Sequence, residues 1–358
     1  MSIEERQCAA DVLMIRPVRY AANPQTAASN RFQVQVFQET PARDRRSDAS
    51  QVPAERAGLH SVHDAHGRSD ASRPLERISG QGAQDEAVQA AACREFDALA
   101  AALREAGVRV HVFDDTAQPH TPDSIFPNNW VSFHADGTVV LYPMLAENRR
   151  LERRQDLLEA LSARQGFRIE RVVDLSHHER QGKFLEGTGS LVLDRVHRIA
   201  YACVSARTDL DVLGDFAQQL DYEVVAFEAR DTHDVPIYHT NVMMSVGSGV
   251  AAICSACIRE DERAAVLDTL RTTGHAIVDL SIEQLAEFAG NMLALSTTQG
   301  ETIMAMSCRA LDSLSIEQRA ALEAHGVSIV ASDVSTIETL GGGSVRCMLA
   351  EIHLPRKN

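Results

Sequence analysis

Five times along the chain a stretch of helical apolar period meets a Gly or an Asp and passes straight into a β-rich run. The five read LREAGVRVHVF, LSARQGFRIERVV, QQLDYEVVAFE, LRTTGHAIVDLS and LEAHGVSIVAS. Their pivots are Gly107, Gly166, Asp221, Gly274 and Gly326, at steps of 59, 55, 53 and 52 residues. Self-similarity at a nearly fixed period is the mark of a repeated supersecondary unit. Between one copy and the next lie hairpin patterns with turn chemistry in the middle: NWVSFH-ADG-TVVLYP, SLVLD-RVHR-IAYACV, NVMMSV-GSG-VAAIC and NMLALS-TTQG-ETIMAM. The predicted unit is therefore strand, strand, helix, strand. The fifth hairpin is split between VRCMLAEIHL near the end and DVLMIRP near the start. Pairing those two segments closes five α/β units into a ring.

Residues 41–82 interrupt the order with charged, Ser-rich, apolar-poor sequence, predicted to be a mobile insertion before a first helix at Ala83 to Ala106. Its His60, His63 and His66 are read as loop residues, since no cysteine or rigid element accompanies them. One domain is expected over residues 1–358. Lys and Arg total 35 against 50 Asp and Glu, a net charge of −15. That balance argues against a nucleic-acid footprint or a basic membrane surface, and points to a small-molecule partner. Seven cysteines without regular spacing suit a reduced, cytoplasmic protein better than a disulfide framework. Cys254 and Cys257 spell C-x-x-C once, which is read as two half-buried thiols. The start, MSIEERQCAADVL, shows no basic segment leading into an apolar core, so no signal peptide is expected. The longest uncharged run, Val235 to Ile258, holds His239, Asn241 and a Gly-Ser-Gly turn, a hairpin pattern and not a membrane helix.

Polar groups sit where the first strand of each hairpin begins, the place nearest the centre of a five-unit ring. They are Asn128 and Asn129 in FPNNW, Glu186 in FLEGTGS, His239 and Asn241 in YHTNVMM, Asn291 in AGNMLAL and Cys347 in GGGSVRC. A thiol, an imidazole and a carboxylate at one mouth supply a nucleophile, a proton carrier and a charge that orients it. Such chemistry needs neither metal nor organic cofactor, and none is expected. Asn291 is read as satisfying backbone groups at the fourth strand entrance. The three glycines Gly341 to Gly343 are expected to give a substrate room beside the sulfur.

The motifs PDSIFPNNW, FLEGTGS, SART, YHTN and GGGSVRCM resemble those of the guanidino-group-modifying superfamily, whose members include arginine deiminases, dimethylarginine hydrolases and amidinotransferases. The resemblance covers nearly everything outside the insertion. It implies the pentein fold, an α/β-propeller of five pseudo-symmetric ββαβ blades around a central active-site pocket. It also implies Cys347 as a nucleophile forming a covalent adduct, His239 as proton shuttle and Glu186 as the carboxylate beside them. Arg149 in NRRLER and Arg207 in SART fall where relatives hold a substrate's α-carboxylate, a task suited to a bidentate guanidinium. Asp123 and Phe126 precede the asparagines in a loop that could line the pocket, with Asp123 facing an α-ammonium.

Arginine-processing relatives usually hold the cationic guanidinium between two aspartates, and here those places carry Asn129 and Asn241. Asparagine can donate to a neutral ureido carbonyl, whereas ionised aspartate cannot. The change matches the branch called citrulline-utilisation hydrolases, or citrulline ureidases, and the expected activity is hydrolysis of citrulline to ornithine, ammonia and carbon dioxide. An arginine dihydrolase, an arginine deiminase-type hydrolase and an amidinotransferase remain alternatives, because Glu186 and Asp123 leave negative charge near the pocket. A ribosome-binding scaffold of the same fold would need none of these central groups. The expected partner is an amino-acid substrate, with self-association left open. The segment SHHERQGKF, residues 176 to 184, is a candidate lid.

Overall fold

A computed structural model describes residues 5–27, 29–33 and 73–357. They form five three-stranded sheets, four of them continuous in sequence. Val131–Phe133, Thr138–Leu141 and Arg171–Asp174 make the first, and Val192–Asp194, Ile199–Cys203 and Glu223–Phe227 the second. Met244–Val246, Val250–Ile253 and Ala276–Asp279 make the third; Leu293–Ser296, Thr302–Ser307 and Val327–Ser332 make the fourth. In each, the first two strands are an antiparallel hairpin and the third joins in parallel after a helical crossover.

The fifth sheet is the predicted seam. Ala350–Glu351 pairs antiparallel with Asp11–Arg16, with Leu13 opposite Ala350, and Asp11–Arg16 pairs in parallel with Arg109–Asp114. Its crossover helix is Arg73–Glu105, which begins ten residues before the expected start at Ala83. The interruption is thus partly helical, and the rest of the expected insertion, with His60, His63 and His66, lies outside the described residues.

All five pivots hold a left-handed backbone: φ is +92° at Gly107, +73° at Gly166, +56° at Asp221, +84° at Gly274 and +71° at Gly326. That conformation ends a helix and turns the chain into the outer strand, which is why Gly recurs there. Burial runs from the inside outward. The first strands are almost wholly buried, while the third strands, such as Arg171–Asp174, are largely exposed. First strands of neighbouring sheets pack on one another, so the sheets follow each other around a centre. Among the described residues no helix is long and apolar enough to cross a membrane.

A short turn carries the chain into each first strand, and these turns press together at the centre. Gly290 shows how closely: a Cβ there would lie well inside contact distance of the Val242 carbonyl and of the Met243 backbone. Gly290→Ala should therefore lower unfolding free energy by roughly 1–3 kcal/mol. Gly214, inside the helix Leu210–Leu220 with nothing within 4 Å of its missing Cβ, is the control. Gly214→Ala should stabilise by about 0.5–1 kcal/mol, and urea titration of both variants checks the pair.

Candidate active site

The central turns bring the predicted residues together. Glu186 precedes the turn Gly187–Ser190, His239 precedes Thr240–Val242, and Cys347 lies in Val345–Met348. Asn129 closes the turn Pro127–Asn129. All are buried.

Glu186 is the hub. Its Oε2 accepts from Arg207 Nη1 at 3.2 Å and lies 2.8 Å from His239 Nε2, while Oε1 accepts from the Leu145 amide at 3.1 Å. Burial alone would raise its pKa, but Arg207 and His239 hold the carboxyl well below the usual range. Burial also dominates at His239 and pushes the imidazole down to about 4, against the pull of Glu186. The pair is therefore an ionised carboxylate and a neutral imidazole, with Nε2–H donating to Glu186. Nδ1 keeps its lone pair and can take a proton. A Cβ on Gly189 would fall against both His239 Nδ1 and the Asn129 amide, so the glycine keeps a cradle open between them.

Arg149 is fully engaged. It chelates Glu152 through Nε and Nη2 at 3.0 and 2.9 Å, and donates Nη1 to Asn129 Oδ1 at 2.8 Å. Its Nη2 also reaches the carbonyls of Phe126 and Asp123. Here Arg149 orients Asn129, and Glu152, not foreseen, anchors it, burial pushing that carboxyl up to about 8 against the pull of the guanidinium. Asn129 Nδ2 is left with one long contact, 3.5 Å to the Glu186 carbonyl. Arg207 is equally buried, and its Nη2 donates to Ser29 Oγ at 2.7 Å and to the Thr26 carbonyl at 3.3 Å.

Those two residues belong to a segment the sequence reading overlooked. Asn23 Nδ2 and Thr26 Oγ1 donate to Asp123 Oδ2 at 2.8 and 3.1 Å, and Asn30 Nδ2 donates to the Gly341 carbonyl. Residues 20–27 and 29–33 thus lie across the site. The candidate lid at 176–184 sits elsewhere: Glu179 is tied to Arg153 and to the Met144 amide, and His178 to Asp215. A clue existed in the Asn-Pro step at Asn23, a turn signal followed by polar residues of no regular period.

The glycines before the nucleophile serve a different neighbour from the one expected. A Cβ on Gly341 would collide with the Phe126 ring and Tyr20 Oη, and one on Gly343 would lie 3.0 Å from Phe126. They make room chiefly for Phe126, Tyr20, Asn30 and Gln33, and Gly343 also leaves space beside Cys347 Cβ. The sulfur of Cys347 meets two amides instead, Asn241 Nδ2 at 3.5 Å and Asn291 Nδ2 at 3.3 Å. Asp123 Oδ1, Asn241 Oδ1 and both polar ends of Asn128 are buried with no hydrogen-bond partner among the described residues. Buried polar atoms of that kind cost about 1–3 kcal/mol each unless something meets them, so they suit a polar ligand. Among the described residues one group, His177, His178 and Asp215, has donors close enough together for a metal ion. It is built on the 176–181 turn and a peripheral helix, not on the central turns.

Residues 74–354 match a family described as N,N dimethylarginine dimethylhydrolase, eukaryotic. No curated protein matches the sequence significantly. Among solved structures, the N-terminal domain of ArgZ, an arginine dihydrolase of the ornithine–ammonia cycle in cyanobacteria, was solved with substrate bound. It superposes with a TM-score of 0.62 at 17% identity, over 96% of this chain and 97% of that one. Unliganded AgrE gives 0.64 at 17% identity over 97% of this chain, which spans only 40% of AgrE. A dimethylarginine dimethylaminohydrolase holding an S-methyl-L-thiocitrulline adduct gives 0.53 at 17% identity, over 74% and 89%. At these identities the likeness is one of fold.

The buried neutral imidazole carries a pH signature. Between its ordinary 6.5 and about 4, the unfolded chain binds a proton at His239 that the folded chain refuses. Stability must then rise with pH across that window and fall on acidification from 6.5 towards 4. His134 and His353, also pushed down by burial, act in the same direction. His239→Gln should remove a share of the slope worth up to about 3 kcal/mol, measured by denaturant unfolding at a series of pH values.

Proposed function

The chain belongs to the N,N dimethylarginine dimethylhydrolase family and is a hydrolase of non-peptide C–N bonds; we propose that its substrate is the neutral ureido group of citrulline. The observation that carries this reading is the neutral lining around the sulfur, where the amides of Asn241 and Asn291 approach Cys347 Sγ. A guanidinium cation favours carboxylates in that place, and a ureido carbonyl favours N–H donors.

In the proposed reaction the Cys347 thiolate attacks the ureido carbon. That thiolate forms as the Cys347 thiol gives its proton to the free Nδ1 of neutral His239, which then passes the same proton to the departing nitrogen, so that it leaves as ammonia while the C–N bond breaks. Cys347 then carries a thiocarbamate joined to the δ-nitrogen of ornithine. Water, giving a proton to His239, adds to that carbon and the C–S bond breaks. The product carbamate loses carbon dioxide to leave ornithine. Glu186 keeps the imidazole oriented and stabilises it when protonated, as a buried carboxylate does in a nucleophile–His–acid array.

The amino-acid head fits the charged side of the hollow. Asp123 Oδ1, which has no partner among the described residues, takes the α-ammonium, and Arg207 takes the α-carboxylate once the Thr26 and Ser29 contacts give way. Asn128 and Asn129 supply amides between head and reacting carbon, with Phe126 as the apolar wall. Arg149 acts through Asn129 as a positioning residue. Arginine dihydrolysis is the second reading, favoured by the fold shared with ArgZ; Asp123 and Glu186 provide the negative charge an arginine would use.

Purified protein offered citrulline, arginine, methylarginines and agmatine in parallel, with products identified by mass, tests both readings. The expected result is ornithine and ammonia from citrulline, with turnover abolished in Cys347→Ser while the fold is kept. Arginine converted to citrulline with no ornithine would overturn the substrate assignment. Arginine converted to ornithine while added citrulline persists would select the dihydrolase.

A further inference from the structure

The fourth blade contributes one side chain to the centre, Asn291, and that side chain lies against the reacting atom. Its Nδ2 is 3.3 Å from Cys347 Sγ and also donates to the Asn241 carbonyl at 2.9 Å. The second bond fixes which end of the amide carries hydrogen. Oδ1 lies 3.6 Å from the sulfur, in position to accept from the thiol. One edge of the amide thus serves both protonation states, accepting S–H through Oδ1 and donating N–H to a thiolate through Nδ2.

The approach is built into the backbone. Because Gly290 has no side chain, the fourth turn can sit directly against Val242 and Met243. Asn291 thereby reaches the carbonyl of Asn241, whose own Nδ2 faces the sulfur at 3.5 Å. Two amides, one pinning the other, bracket Sγ in a site where Asn291 is only 1% exposed. No other side chain hydrogen-bonds to this sulfur among the described residues.

We propose that Asn291 is a catalytic residue, which holds Cys347 Sγ in its attacking position and donates an N–H to the thiolate. The role rests on Cys347 being the nucleophile. It also has a rationale in the proposed substrate. A cationic guanidinium would bring its own positive charge to the sulfur, whereas a neutral ureido group brings none. Donors for the thiolate must then come from the protein, and they cost no reorganisation when already in place. Aspartate at this position would set a carboxylate against both the thiolate and the Asn241 carbonyl. Leucine would leave that carbonyl without its donor.

The test measures the rate at which iodoacetamide alkylates Cys347 near neutral pH without substrate, read by mass spectrometry of its peptide, alongside kcat and KM for citrulline and arginine. Asn291→Ala and Asn291→Asp should slow alkylation of Cys347 about tenfold or more, lower kcat about 10²-fold and leave KM within a few-fold. Asn291→Ser keeps a short donor and should recover part of both losses, and it is the variant to use should Asn291→Ala fail to fold. A variant that loses heat stability yet alkylates and turns over at wild-type rates overturns the proposal and leaves Asn291 structural. Slower alkylation in a protein that turns over none of the four substrates would sustain this inference while removing the functional reading. Normal citrulline hydrolysis with unchanged sulfur reactivity would do the reverse.

Discussion

A carboxylate with no exposed surface binds three parts of the ring to one another. Glu186, at the entrance to the second blade, accepts from Arg207 beyond that blade's hairpin, from the Leu145 amide beyond the first, and from His239 at the third. A buried ion pair is weak evidence for stability, yet removing one member strands the others and typically costs 3–5 kcal/mol. Here the stranded groups would be a guanidinium and the imidazole that carries protons. The hydrogen-bonded orientation of that imidazole depends on this carboxylate staying ionised.

Around that hub the hollow divides into two electrostatic halves. Arg149, Asp123 and Glu152 crowd one side, with Arg207 held on Glu186 beside them. The sulfur faces Asn241 and Asn291 on the other. The proposed substrate, a zwitterionic head joined to an uncharged tip, has the same division of polarity. Arginine would place a cation on the neutral side, and its charge would have to be answered across the hollow by Glu186, which Arg207 already occupies.

Much of the fold was legible because the repeat writes its turning points into backbone chemistry. Each pivot, including Asp221, adopts positive φ, so spacing alone located the crossovers. That Cys347, His239 and Glu186 share the central turns was legible for a related reason, since polar side chains at equivalent strand entrances stand out against an apolar background. What escaped were residues whose meaning depends on a partner distant in sequence. Asn291 looked like a backbone-capping amide until the fifth blade placed a sulfur beside it. Asn23, Thr26 and Ser29 carry no periodic pattern, and only the fold reveals that they touch Asp123 and Arg207. Arg149 read as a free ligand-binding cation because Glu152, three residues on, has no sequence mark separating it from a surface acid.

The seam sheet has a consequence for synthesis on the ribosome. Cys347 acquires its place only when Ala350–Glu351 docks on Asp11–Arg16, joining strands more than three hundred residues apart in one core with Val12, Met14, Val345 and Met348. Until residues 350 and 351 have been made, Asp11–Arg16 lacks that antiparallel partner. A product cut before residue 347 would carry His239 and Glu186 without the thiol, even with the four sheets that are continuous in sequence already formed.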